Sequence, residues 1–148
     1  MMKHYFLLTL LGLSTLTQAV ELTSYQAIEQ TLNQGKLVTF VFKARLCAVQ
    51  NPNADTFKPK TDTAIFKPQT VLMSEAEGAL GVAGDWLTTA IPSHEKMGVS
   101  QHYHMILNNQ KQARISVEFF NPETRQRLDD LKPIVAMCEL GKGIKAYD

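Results

Sequence analysis

Two histidines flank a tyrosine at His102-Tyr103-His104, within a run whose apolar residues alternate from Val99 to Leu107. Alternation of that kind reads as a strand, and residues two apart on a strand leave from the same face. Both imidazoles can therefore reach one divalent cation. Glu118 can add a ligand from the following strand, and His94 or Glu95 from the preceding segment. Zinc held by three protein ligands keeps an open position and activates water there, which is the chemistry of a metal-dependent hydrolase. The competing reading is plainer: two solvated histidines on the polar face of an amphipathic strand, beside Ser116 and Glu118. That reading needs no cofactor, and it is the more ordinary outcome of a His-x-His pair.

The remaining residues that could do chemistry are sparse. Cys47 and Cys138 are the two cysteines. An even, isolated pair in an oxidising compartment most simply forms one disulfide. It would close a loop of about 90 residues, worth about 4–5 kcal/mol in the chain-entropy picture. The alternatives are free thiols or a redox or metal-binding pair, but no C-x-x-C spacing or Cys/His cluster supports them. Glycines at 78, 81 and 84 resemble a phosphate loop without its Lys-Ser/Thr, so a flexible or tightly packed loop is expected. Asp85 and Trp86 follow Gly84, and Trp86, the single tryptophan, suits a core anchor or the wall of a binding groove. No serine lies in a G-x-S-x-G turn. Ser93-His94-Glu95 sets the triad residue types side by side, whereas a triad is assembled in space. Asp129-Asp130 with Asp85 could pair carboxylates for sugar hydrolysis, yet neighbouring aspartates are more often a solvated turn.

Several elements must position these residues. Thr23-Ser24-Tyr25-Gln26 reads as a capping box with Thr23 at the cap. A helix over about Ser24–Gln34 follows, with Tyr25, Ile28 and Leu32 on one face and Gly35 as its stop. Lys36–Lys43 is β-branched and aromatic, a core strand that delivers Cys47. Gln50–Lys60 reads as a long solvated loop. Ala64–Met73 reads as a strand interrupted by Pro68, hence an edge strand or one with a bulge. Glu75–Gly84 is ambiguous, and Asp85–Ile91 is strand-like. Val99–Leu107 and Ala113–Phe119 form a hairpin around Asn108–Gln112. Keeping both apolar faces on one side excludes a two-residue loop. A three- or five-residue loop remains, and the five-residue case sets His102 opposite Glu118 and His104 opposite Ser116. Asn121–Thr124 is a turn, Pro133–Leu140 a final core strand, and Gly141–Gly143 turns into Ile144–Tyr147. Helices do not alternate with strands, so the expected class is α+β: an N-terminal helix packed on a mostly antiparallel, meandering sheet with one disulfide.

Composition bounds where this domain can work. Lys3, the apolar run Tyr5–Leu13 and the small residues of Thr17-Gln18-Ala19 read as a signal peptide over residues 1–19. The run is too short to span a bilayer, which takes about 20 residues. Cleavage would leave a single domain over residues 20–148 of comfortable size. The chain carries 15 Lys+Arg against 14 Asp+Glu, and loss of Lys3 balances them. A neutral domain lacks the basic footprint of a nucleic-acid binder, and no segment suggests a stable membrane anchor. The expectation is export to the periplasm or beyond.

The order of segments resembles the VirK-like family of exported bacterial proteins. The resemblance rests on Glu21–Tyr25, the helix ending Asn33-Gln34-Gly35-Lys36, and the β-run leading to Cys47. It is carried further by the His/Tyr strand, by Phe120-Asn121-Pro122-Glu123-Thr124 and by Cys138–Gly143. It covers about half of the mature chain and leaves Gln50–Lys96 unmatched. The resemblance implies export by Gram-negative bacteria, association by name with virulence regions, no agreed activity and no catalytic residues to transfer. Some such proteins resemble type II secretion substrates, which travel folded. The function expected is therefore a virulence-associated binding or interaction protein acting on an unknown protein or small ligand of the envelope or host. Its surface would involve the Gln50–Lys60 and Gly78–Gly84 loops with Asp85 and Trp86. The metal-dependent hydrolase is the alternative, and strand addition to a partner through a sheet edge is a third option.

Overall fold

The computed structural model describes residues 18–50, 63–74, 76–88, 94 and 96–148, with residues 86–88 described by their backbone. Most of the Gln50–Lys60 loop, Ser93, Glu95 and residues 1–17 of the expected signal peptide lie outside them. Among the described residues the architecture is mostly antiparallel β-sheet with one α-helix and one disulfide.

A short strand, β1 (Glu21–Leu22), precedes helix α1 (Tyr25–Asn33). The cap is Ser24 rather than Thr23: Thr23 follows directly on β1, and the chain turns one residue later. Ser24 is extended and its hydroxyl accepts from the Ala27 amide at 3.1 Å. At the other end the Gly35 amide donates to the Leu32 carbonyl and the Lys36 amide to the Thr31 carbonyl. Gly35 sits at φ +73°, so the expected glycine stop is present. The buried stripe is Tyr25, Ile28 and Thr31, with Leu32 half-buried against the core.

The remaining strands are β2 (Thr39–Lys43), β3 (Ala48–Gln50), β4 (Thr63–Phe66), β5 (Thr70–Ser74) and β6 (Ala79–Thr88). They continue with β7 (Val99–Asn108), β8 (Gln112–Phe120), β9 (Ile134–Glu139) and β10 (Ile144–Tyr147). A 3-10 turn at Ala44–Leu46 joins β2 to Cys47. Among the described residues the strands form two sheets, in orders β1-β10-β2-β4 and β3-β9-β8-β7-β6-β5. The meander expected from the sequence is the run β5 to β9. The first sheet instead pairs strands far apart in the chain.

Two expectations change here. Pro68 does not merely interrupt one edge strand. It separates β4, an edge of the four-stranded sheet, from β5, an edge of the six-stranded one, consistent with a residue that lacks an amide donor and fixes φ. The glycine series is not a loop. Residues 76–78 form the turn, Gly78 takes φ +57°, and Gly81 and Gly84 lie within the ten-residue strand β6.

One buried cluster draws on both sheets and on α1, including Tyr25, Ile28, Phe40, Phe66, Tyr103, Met105 and Ile144. Phe40 stacks on Phe66 with centroids 5.6 Å apart, and Phe66 meets Tyr103 at 4.7 Å, so an aromatic chain crosses from one sheet to the other. Ile28, Phe40, Met105 and Ile144 are fully buried, and burial of such a side chain contributes about 1.5–3 kcal/mol. A smaller cluster gathers Val99, Phe119 and Leu131. Cys47 and Cys138 form the disulfide with Cα atoms 4.6 Å apart. Gly143 packs against it so closely that a Cβ there would lie 2.5 Å from the Cys47 sulfur.

Candidate functional surface

Strand β7 sets the geometry. Val99, Gln101, Tyr103, Met105 and Leu107 are buried, while His102, His104 and Ile106 are exposed. The register sets Leu107 opposite Ala113, the pairing of the five-residue case, and the strands run on to Asn108 and from Gln112, so three residues, 109–111, turn between them. The Asn108 side-chain carbonyl accepts from the Gln110 and Gln112 amides, and Lys111 adopts φ +65°. This register places His102 opposite Glu118 and His104 opposite Ser116, one of the registers that the parity of the apolar faces allows.

Register continues across the sheet, so the outer face is organised in rows. One row is charged. Asp85 on β6 faces His102 on β7, which faces Glu118 on β8. Asp85 Oδ1 lies 3.5 Å from His102 Nε2, and Arg127 Nη1 lies 3.6 Å from Glu118 Oε1. All four side chains are about half exposed. The His102 ring rests on Phe120 with centroids 4.2 Å apart. Burial, and next the Asp85 carboxylate, raise the Tyr103 phenol above its ordinary pKa.

A second row is largely apolar. Leu72, Gly81, Ile106, Arg114, Met137 and Ala48 are successive partners across all six strands. Leu72 is 71% exposed, Met137 45% and Ile106 40%. Beyond Met137 the row opens into a recess lined by Leu46, Gln112, Glu139 and Lys142. A row containing Ala83, His104 and Ser116 separates the apolar row from the charged one.

The sequence candidates do not all meet. His94 pairs with Asp130 at 3.3 Å, whereas His102 pairs with Asp85. Among the described residues no three His, Cys, Asp or Glu side chains are grouped to hold a metal. Gly84 is buried and leaves room for Tyr103: a Cβ there would lie 2.8 Å from Tyr103 Cε1. Trp86 pairs through its backbone with Gln101. Arg127 and the Leu72–Met137 row escaped sequence reasoning. Alternation on β7 had already put Ile106 beside the histidines, and that signal, extended across the sheet, leads to the row.

The VirK protein family model matches residues 21–125. The chain belongs to the VirK family. The matched span begins at β1 and closes just after β8, so it takes in Asp85, His102 and Glu118 of this VirK protein and stops before Cys138. The fold is similar to that of lpg1832, a VirK family protein from Legionella pneumophila known from a crystal structure. The TM-score is 0.74 at 22% identity, over 88% of this chain and 100% of that one. No curated protein matches the chain.

Proposed function

We propose that this VirK protein is an exported, virulence-associated binding protein of a Gram-negative bacterium, and that its working surface is the outer face of the six-stranded sheet. One observation carries the reading. An exposed apolar row and a charged row run parallel on the same rigid sheet, the pairing of area and polarity that recognition surfaces use. In this reading α1 packs on the antiparallel layers through Tyr25 and Ile28, as an α+β domain requires, and leaves that outer face uncovered. The disulfide, and the lack among the described residues of any helix long and apolar enough to cross a membrane, support an exported, non-membrane destination. The ligand is a protein or small molecule of the envelope or host, and the type II machinery is the route proposed beyond the outer membrane.

The test has two arms. Fractionation of the producing cell should place the protein outside the cytoplasm; a purely cytoplasmic pool would defeat the export half. Leu72→Asp and Ile106→Asp should abolish capture of whichever envelope or host component the unmodified protein binds, with unfolding unchanged within about 0.5 kcal/mol because both side chains are exposed. Capture that is indifferent to both substitutions would remove the outer face from consideration. For the hydrolase alternative, the supporting arrangement is His102 and His104 on one face with Glu118 across the hairpin.

A further inference from the structure

The backbone amide of Val20 donates to the side-chain carboxylate of Asp148 at 2.9 Å, and the Asp148 amide returns a bond to the Val20 carbonyl at 3.2 Å. Val20 is the residue immediately after Ala19, where the leader is expected to end. Residues 18–20 are exposed and outside any strand. The next residue begins β1, whose Glu21 and Leu22 pair with Tyr147 and Ala146 of β10. Leu22 is buried in the common core, and Glu21 binds Lys145 at 3.0 Å. A carboxylate is thus held against the one nitrogen whose charge processing would change.

We infer that cleavage of the Ala19–Val20 bond creates an α-ammonium group that is seated on the Asp148 carboxylate, a terminal anchor absent from the precursor. The inference rests on the export reading above. A leader peptidase breaks the C–N bond with water: hydroxyl goes to the Ala19 carbonyl carbon and a proton to the Val20 nitrogen, which takes another from solvent. A neutral amide donor becomes a cation, and its bond to Asp148 becomes charge-assisted at both ends. A second consequence concerns order. Once β1 is zipped to β10, the residues that follow the scissile bond are no longer free to lie extended in a peptidase cleft. Cleavage therefore precedes docking of β1, and the new charge then draws that strand home. Both groups are exposed, so the anchor shows as a shift in proton affinity rather than as a large share of stability.

The test begins with the full precursor produced in a Gram-negative host and the exported protein recovered. Mass spectrometry of its N-terminal peptide should show a chain beginning at Val20. Competitive labelling of that amine with acetic anhydride across pH should give a pKa above the ordinary 7.7–8.0, by at least about half a unit. Asp148→Asn, or unfolding in urea, should return it to the ordinary range. A chain that begins elsewhere overturns the anchor together with the processing on which it depends. A chain that begins at Val20 with an amine indifferent to both Asp148→Asn and urea overturns the anchor alone.

Discussion

The Tyr103 hydroxyl donates to the backbone carbonyl of Lys67 at 2.9 Å, joining β7 of the six-stranded sheet to the link between β4 and β5. That bond closes the aromatic path from Phe40 through Phe66 and fixes the point where the chain passes from one sheet to the other. Tyr103→Phe should cost about 1 kcal/mol in urea unfolding, with more if the Lys67 carbonyl is left dry. Gly84→Ala, which forces a methyl group against the same phenol, should cost about 1–3 kcal/mol. Equal midpoints for wild type and both variants would show that the junction is not held by this contact.

The same phenol makes a pH prediction. Burial, followed by the Asp85 carboxylate, raises its pKa in the folded state. Its contribution to stability is therefore complete below the unfolded pKa and is lost as pH rises through the higher folded value. Ultraviolet titration of Asp85→Asn should show tyrosine ionisation moving back toward the ordinary value. No movement would leave burial as the sole cause.

Lys145 behaves with the same sign for a different reason. Its hydrogen bond to Glu21 raises its pKa, against a smaller opposing effect of desolvation. The support that this pair gives to β1 is present below the unfolded lysine pKa and disappears as pH climbs through the folded one. Glu21→Gln should lower the Lys145 pKa, as followed by NMR of the side-chain ammonium. An unchanged titration would assign the shift elsewhere.

Cys47→Ser with Cys138→Ser should lower stability by about 2–5 kcal/mol, measured under oxidising conditions against the unmodified protein. Gly143→Ala should weaken the same corner without removing either sulfur, because the new methyl would press on Cys47, the Leu46 carbonyl and the Cys138 Cβ. A melting temperature that ignores the double substitution would strip the disulfide of its structural role.

Native mass spectrometry before and after zinc addition should show weak, substoichiometric uptake, since His102 and His94 are engaged by separate carboxylates. One tightly held zinc, lost in His102→Ala, would instead make the hydrolase the function to pursue.

The hairpin was legible because a parity argument is local: the apolar faces of β7 and β8 leave few loop lengths, and one of them sets His102 against Glu118. The helix stop at Gly35 and the pairing of Cys47 with Cys138 were legible for similar reasons of chemistry and number. Strand β6 was not. Gly81 and Gly84 weaken any local preference, and Gly84 is suited to its place by Tyr103, a residue on the neighbouring strand that no window around the glycines contains. The division into two sheets was equally hidden, because it depends on β10 lying between β1 and β2. At the candidate surface, single strands revealed His102, His104 and Ile106. The partnership of Leu72 with Met137 across the sheet needed the register of every strand between them.

The bond between Cys47 and Cys138 encloses β3 through β8 and most of β9, while β1, α1, β2 and β10 lie outside the ring. Tension applied at the two ends of the oxidised chain therefore runs through the sulfurs and bypasses the six-stranded sheet. Such a lasso cannot be drawn single file through a narrow pore: threading from either end stalls at a cysteine until the bond is reduced. Any passage that demands an extended polypeptide must come before oxidation, and any later passage must admit the folded body whole.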